Sequence, residues 1–99
     1  MSGGRVAWCR TGAGWAVNLD GTSAALVFAL PRIELRAGPR GWECFCDLSN
    51  GTSLRVPVAH ARTTAAAMRA AGEGSIEALG PRYAPLLRAL VASPAGIRE

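Results

Sequence analysis

Three cysteines and a single histidine are the residues of this chain that offer metal or covalent chemistry. Cys9, Cys44, Cys46 and His60 carry the thiol and imidazole groups that form tetrahedral zinc sites. Structural zinc ligands usually lie about two to four residues apart on a turn, whereas Cys44 and Cys46 flank Phe45 inside a predicted strand. A free cysteine in such a strand packs as a small apolar residue. We therefore predict no metal site, and we expect reduced thiols.

A thiol nucleophile activated by an imidazole base is an alternative use of Cys9 and His60. No carboxylate has a spacing that marks it as the group orienting the histidine. The glycine-rich stretches 12–14 and 72–74 are too short to cradle a phosphate, and neither leads into Lys-Ser or Lys-Thr. We therefore predict no catalytic residue and no cofactor, with the Cys9–His60 pair as the one enzymatic alternative.

Arginines beside aromatic residues are the remaining candidates for recognition. All 11 basic residues are arginines, and the net charge is +4. Such a charge speeds association with anionic partners without naming one. Arginine and exposed aromatic side chains are enriched at the energetic centres of interfaces. We predict partner-binding residues at Arg36, Arg40, Phe45 and Arg55.

A predicted β-hairpin at residues 41–59 positions most of these side chains. Its Asn-Gly pair favours a tight turn. A two-residue loop would send the large apolar residues of the two strands to opposite faces, so the pattern predicts a three-residue loop, 49–51, with its glycine in the left-handed conformation. The apolar residues then share one buried face. On the polar face, Arg55 lies over the ring of Phe45.

The rest of the sheet precedes this hairpin. Residues 5–10 and 15–20 predict two paired strands, with Trp8 opposite Val17. An Asp-Gly turn then leads to residues 24–30, an uncharged apolar run typical of a strand covered on both faces. In this interpretation Val17 lies opposite Ala24, and the run bends at a bulge near Pro31 before meeting the hairpin. Residues 5–60 thus form an antiparallel meander of five to six strands.

The apolar period changes to that of helices over residues 62–93. Thr63-Thr64 is a candidate N-cap for a helix ending at Ala71, with Gly72 just beyond it. A short second piece at 75–79 and a main helix beginning between Pro81 and Pro85 follow, ending near Ser93. Packed on one face of the sheet, these helices make an α+β fold, in one domain of 99 residues with a frayed end at 1–4.

Small side chains share the face opposite the tryptophans on the first three predicted strands. They are Ala7, Cys9, Ala16, Ala25, Val27 and Ala29. A patch of this kind marks a contact surface. The helix at 65–71, the curling sheet or another chain would cover it, and a homodimer through Ala25, Val27 and Ala29 is one alternative.

These patterns favour a small interaction module, an adaptor or inhibitor without chemistry of its own. Its partner would be a protein or a ribonucleoprotein, bound through the sheet face or the edge strand. The alternative is a nucleic-acid-binding domain, in which arginines on the sheet neutralise phosphates and aromatic rings stack on bases. With no membrane span and no secretory signal, we expect a cytoplasmic protein. The arginine bias indicates a GC-rich bacterial or phage genome.

Overall fold

The computed structural model describes residues 6–92, which form one sheet and two helices. The strands are β1 (Cys9–Arg10), β2 (Gly14–Asn18), β3 (Arg32–Gly38), β4 (Gly41–Asp47) and β5 (Ser53–Val56), and the helices are α1 (Thr64–Leu79) and α2 (Ala84–Ala92). Each strand pairs antiparallel with its neighbour in sequence, in the order β1-β2-β3-β4-β5. The predicted α+β meander with C-terminal helices is confirmed. The predicted frayed end at 1–4 and the predicted helix end near Ser93 lie outside the described residues.

The hairpin of β4 and β5 has the predicted register. The Leu48 N–H donates to the Thr52 carbonyl at 2.8 Å, which closes a loop of three residues. Gly51 in that loop has a φ of 89°, in the left-handed region that favours glycine. Cys44 lies opposite Val56 as a result, so the apolar residues of both strands share a face.

We call the sheet face toward the helices the inner face and the opposite one the outer face. The inner face carries the largest buried side chains, because α1 packs against β3, β4 and β5. Trp8 and Trp15 are buried there, and Trp42 packs against the same cluster while partly exposed. The predicted core role of the tryptophans is therefore confirmed. The fully buried apolar side chains of the sheet and helices include Val17, Ile33, Leu35, Cys44, Cys46, Met68 and Leu87.

Residues 24–30 do not form a strand, so the strand predicted there was wrong. The sheet has five strands within residues 6–92, which agrees with the predicted five to six. Val17 of β2 lies opposite Ile33 of β3, where the prediction placed Ala24. Because β1 and β3 occupy both edges of β2, a further strand has no pairing position there. Residues 19–31, which we call loop 19–31, instead connect β2 to β3.

Loop 19–31 is held against the outer face by polar groups. The Asn18 Nδ2 donates to the Val27 carbonyl at 2.7 Å, and the N–H groups of Leu26 and Val27 both donate to the Ser23 carbonyl. These bonds turn the chain where an extended strand was expected. Ala25, Val27 and Ala29 therefore do not share one face of a strand. The flat surface of small side chains that was predicted for a homodimer is absent at these three residues.

The predicted helix end at Ala71 was also wrong, because α1 continues through Gly72 and Gly74 to Leu79. A Cβ at position 72 would lie 2.6 Å from Cγ2 of Val91, and a Cβ at position 74 would collide with Val56. The glycines thus permit close packing of α1 on its neighbours. The predicted N-cap is confirmed, since the Thr63 side chain accepts from the Ala66 N–H. Neither α1 nor α2 has the length and apolar character needed to cross a membrane.

Candidate functional site

The outer face is a mixed surface of charged, small and aromatic side chains. Antiparallel register aligns equivalent side chains of neighbouring strands on the same face. One row across β2 to β5 consists of Ala16, Glu34, Phe45 and Arg55. In the next row, Arg36 lies opposite Glu43.

Phe45 at the centre of this face is stacked against two arginines. The guanidinium carbon of Arg36 lies 4.7 Å from the ring centroid, and that of Arg55 lies 5.3 Å from it. Both separations are within the range of cation–π attraction. Arg55 also faces Glu43 at 3.8 Å, an exposed pair that adds little stability. We call Arg36, Phe45 and Arg55 the Phe45 stack.

Arg40 lies apart from the Phe45 stack, in the exposed turn between β3 and β4. It borders a groove of about 430 Å³ whose walls include Trp42, Val56 and Val58. Arg55 lines the same groove, so the groove connects Arg40 to one member of the Phe45 stack. The structure therefore brings together three of the four predicted partner-binding residues, and the fourth, Arg40, shares a mainly apolar groove with Arg55.

Charge on the outer face is balanced. The strands place three arginines there, Arg32, Arg36 and Arg55, and three carboxylates, Glu34, Glu43 and Asp47. Nucleic-acid binding depends on arginines and lysines that replace counterions along the phosphate backbone. The positive net charge of the chain is therefore not concentrated on this face.

The free edge of β5 offers few backbone groups for pairing. Leu48 and Thr52 form a hydrogen-bonded pair, and hydrogen-bonded and non-hydrogen-bonded pairs alternate along antiparallel strands. The backbone N–H and C=O groups of Ser53 and Arg55 therefore point away from β4. The next outward position is Pro57, which has no N–H to donate. A short strand followed by proline is a common way in which sheets limit pairing at an edge.

The cysteines and the histidine are dispersed over the fold. Cys44 and Cys46 are buried on the inner face, Cys9 lies on edge strand β1, and His60 is exposed beyond the opposite edge strand, β5. The structure thus does not bring Cys9 and His60 together as a nucleophile and base. Among residues 6–92, no three histidine, cysteine or acidic side chains form a group that could hold a metal ion.

Burial makes the two inner-face thiols poor nucleophiles. It raises the pKa of Cys44 to about 12, and the charges of Cys46, Asp47 and Glu34 add to the rise. Burial also raises the pKa of the Cys46 thiol, although the Ser75 hydroxyl opposes that rise. Because the thiolate is the reactive form, these two residues act as packing groups.

Loop 19–31 carries three large exposed apolar residues, of which the sequence pattern placed only Val27 on a predicted contact surface. Leu26, Val27 and Phe28 are 85%, 49% and 67% exposed, respectively. The signal that could have placed them in a loop is the polar run before them, in which the Asp20 carboxylate accepts from both the N–H and the hydroxyl of Thr22.

No family model matches this chain, and no curated protein or solved structure matches it at a significant level. The geometry of the outer face is therefore the basis for a functional proposal.

Proposed function

We propose that this chain is a small protein-binding module, an adaptor or inhibitor, that contacts a protein or ribonucleoprotein through the Phe45 stack. The supporting observation is the partly exposed ring of Phe45, against which the guanidinium groups of Arg36 and Arg55 both stack. Aromatic and arginine side chains dominate the binding energy of many interfaces. Because the stack already orders these side chains, a partner would lose less conformational entropy on binding them.

The partner would lie on the outer face and not along the edge of β5. Only Ser53 and Arg55 direct backbone groups outward on that edge, and Pro57 ends the series. From the outer face, the partner would reach past Arg55 to the groove bordered by Arg40, which lies at the end of the β4–β5 ladder and can accept an apolar side chain.

Nucleic-acid binding is the competing function, and its signature is a steep loss of affinity as salt rises. The balanced charge of the outer face argues against it there. A protein interface centred on an aromatic ring should depend more weakly on salt, because apolar contact contributes much of its affinity.

The test begins with affinity purification of the full chain from its native host, with both proteins and nucleic acids identified in the eluate. The purified partner is then titrated with the chain, with the double variant Phe45→Ala/Arg55→Ala and with the control Arg82→Ala. The control removes an arginine that stacks on Tyr83 at 5.8 Å, on the helical side of the molecule. We expect the double variant to bind at least about tenfold more weakly and the control to bind normally.

Unchanged affinity of the double variant would refute the proposal. A partner that is nucleic acid alone, with affinity falling steeply between low and high salt, would establish the competing function instead. Thermal unfolding of each variant shows whether a loss of binding reflects a loss of fold.

A further inference from the structure

Loop 19–31 presents a contiguous apolar tip to solvent. Leu26, Val27 and Phe28 project from it, and Leu26 and Phe28 are more exposed than any other large apolar residue in residues 6–92. Single exposed apolar residues are common, but three in succession on one loop mark a contact surface. With Leu26 and Phe28 this exposed, a partner that buries them needs a pocket around each side chain.

The tip is held in place by a buried polar network. Asn18 is only 2% exposed, and its Nδ2 donates both to the Val27 carbonyl and to the Thr22 hydroxyl. Arg32 Nη1 donates to the Asn18 Oδ1 at 2.9 Å, and the guanidinium of Arg32 lies under the Phe28 ring at 4.7 Å. These contacts hold the backbone of the tip in the conformation that exposes Leu26 and Phe28. A partner would therefore lose less conformational entropy on binding the tip.

Within the described residues, Arg32 is buried without a close ion pair, although Asp47 lies opposite it in the β3–β4 register. The residue is 7% exposed, and no carboxylate of residues 6–92 lies within ion-pair distance of it. Its Nε is buried without a hydrogen-bond partner. A buried guanidinium is costly unless it is paired, so a carboxylate brought to its edge would be bound favourably.

We propose that loop 19–31 is a second docking element, which inserts Leu26 and Phe28 into an apolar pocket of a protein partner whose border carries an aspartate or glutamate. The apolar side chains fill the pocket, and the border carboxylate compensates Arg32 beside Phe28. A second copy of this chain is the competing occupant, and the crosslinking test identifies it. The site does not depend on the Phe45 stack.

Site-specific photocrosslinking tests this inference on the full chain in native-host lysate. The probe is Leu26→p-benzoylphenylalanine, which a position 85% exposed should tolerate, with Leu54→p-benzoylphenylalanine as the control at another exposed apolar position. We expect the probe at position 26 to crosslink one protein at an apolar surface that includes an acidic residue. The control position should not crosslink that surface.

Support then requires two quantitative results with the purified, crosslinked protein. The variants Leu26→Ala and Phe28→Ala should each bind at least about tenfold more weakly, and so should a partner whose border aspartate or glutamate is replaced by its amide. Leu26→Ala is the decisive variant, because Leu26 makes no stacking contact with Arg32 that could affect folding. The double variant Phe45→Ala/Arg55→Ala is titrated with the same protein. Because the two sites are changed in different variants, a loss of affinity assigned to loop 19–31 is distinguishable from one assigned to the Phe45 stack.

Several outcomes overturn the inference. Crosslinking to a second copy, with a dimer that Leu26→Ala abolishes, would make the tip a self-association surface. Sedimentation with phosphatidylglycerol vesicles that depends on Leu26 would make it a membrane contact. Absence of crosslinks above the Leu54 control, or full affinity for the amide-substituted partner, would remove the proposed apolar and acidic pocket.

Discussion

On the inner face of the sheet, large side chains are held by packing, whereas on the outer face they are held by hydrogen bonds and stacking. Ile33, Leu35 and Met68 are almost completely buried between the sheet and α1. On the outer face, Asn18 and Arg32 are also buried, but as a hydrogen-bonded polar pair beneath a loop. The molecule therefore has an apolar core on one side of the sheet and a small polar core on the other.

This difference predicts different sensitivities to mutation. Burial of apolar area is spread over many contacts, so the loss of one is partly absorbed by its neighbours. A polar core of a few groups depends on each hydrogen bond, because a buried group left without a partner keeps the full cost of desolvation. The outer face should accordingly combine one highly sensitive residue, Asn18, with a stack that tolerates substitution.

The largest effect should follow Asn18→Ala. This change removes the Arg32 hydrogen bond and the two bonds that Asn18 donates to loop 19–31. We expect the free energy of unfolding to fall by about 3 kcal/mol. Urea unfolding followed by tryptophan fluorescence measures it, with Asn50→Ala as the matched control in an exposed turn. Equal costs for the two variants would mean that no polar core exists on the outer face.

The second prediction tests how tightly the inner side is packed. Gly72→Ala would place a methyl group 2.6 Å from Cγ2 of Val91, so we expect a loss of about 2 kcal/mol in unfolding free energy. Gly12→Ala is the control, because nothing lies within 4 Å of that position. Adding Val91→Ala should cancel most of the extra cost of Gly72→Ala, and purely additive costs would show that the helices are not in close contact there.

These two regions also show how far the sequence could predict the structure. The alternation of apolar and polar residues and the Asn-Gly turn were sufficient to predict the β4–β5 register and the position of Arg55 over Phe45. Both features depend on residues close together in the chain. The loop was missed because an apolar run predicts burial by itself, while its position depends on Asn18 and on β3 pairing with β2. Gly72 indicated a helix end by local propensity, which packing against Val91 overrode.

A smaller effect concerns pH and the inner-face thiols. Burial raises the Cys44 pKa to about 12 from an ordinary value of 9.0, so above pH 9 the unfolded chain releases a proton that the folded chain retains. The free energy of unfolding should therefore fall as pH rises above 9, by up to about 1.4 kcal/mol per pH unit from this group. Cys44→Ala should flatten the decline between about pH 9 and 10.5 in urea unfolding, whereas Cys9→Ala should not. If the free energy of unfolding fell equally with pH in the unchanged chain, Cys44→Ala and Cys9→Ala, the burial of Cys44 would be contradicted.

The smallest effect on stability should come from Arg55→Ala. The side chain is 69% exposed, its ion pair with Glu43 spans 3.8 Å, and its contact with Phe45 is at the surface. We expect the unfolding free energy to change by less than about 1 kcal/mol, measured in the same urea assay as Asn18→Ala. A side chain that adds little to folding yet remains stacked is free to contribute to a partner contact. If Arg55→Ala were as costly as Asn18→Ala, the Phe45 stack would belong to the framework of the fold, and the outer face would retain only loop 19–31 as a surface for binding.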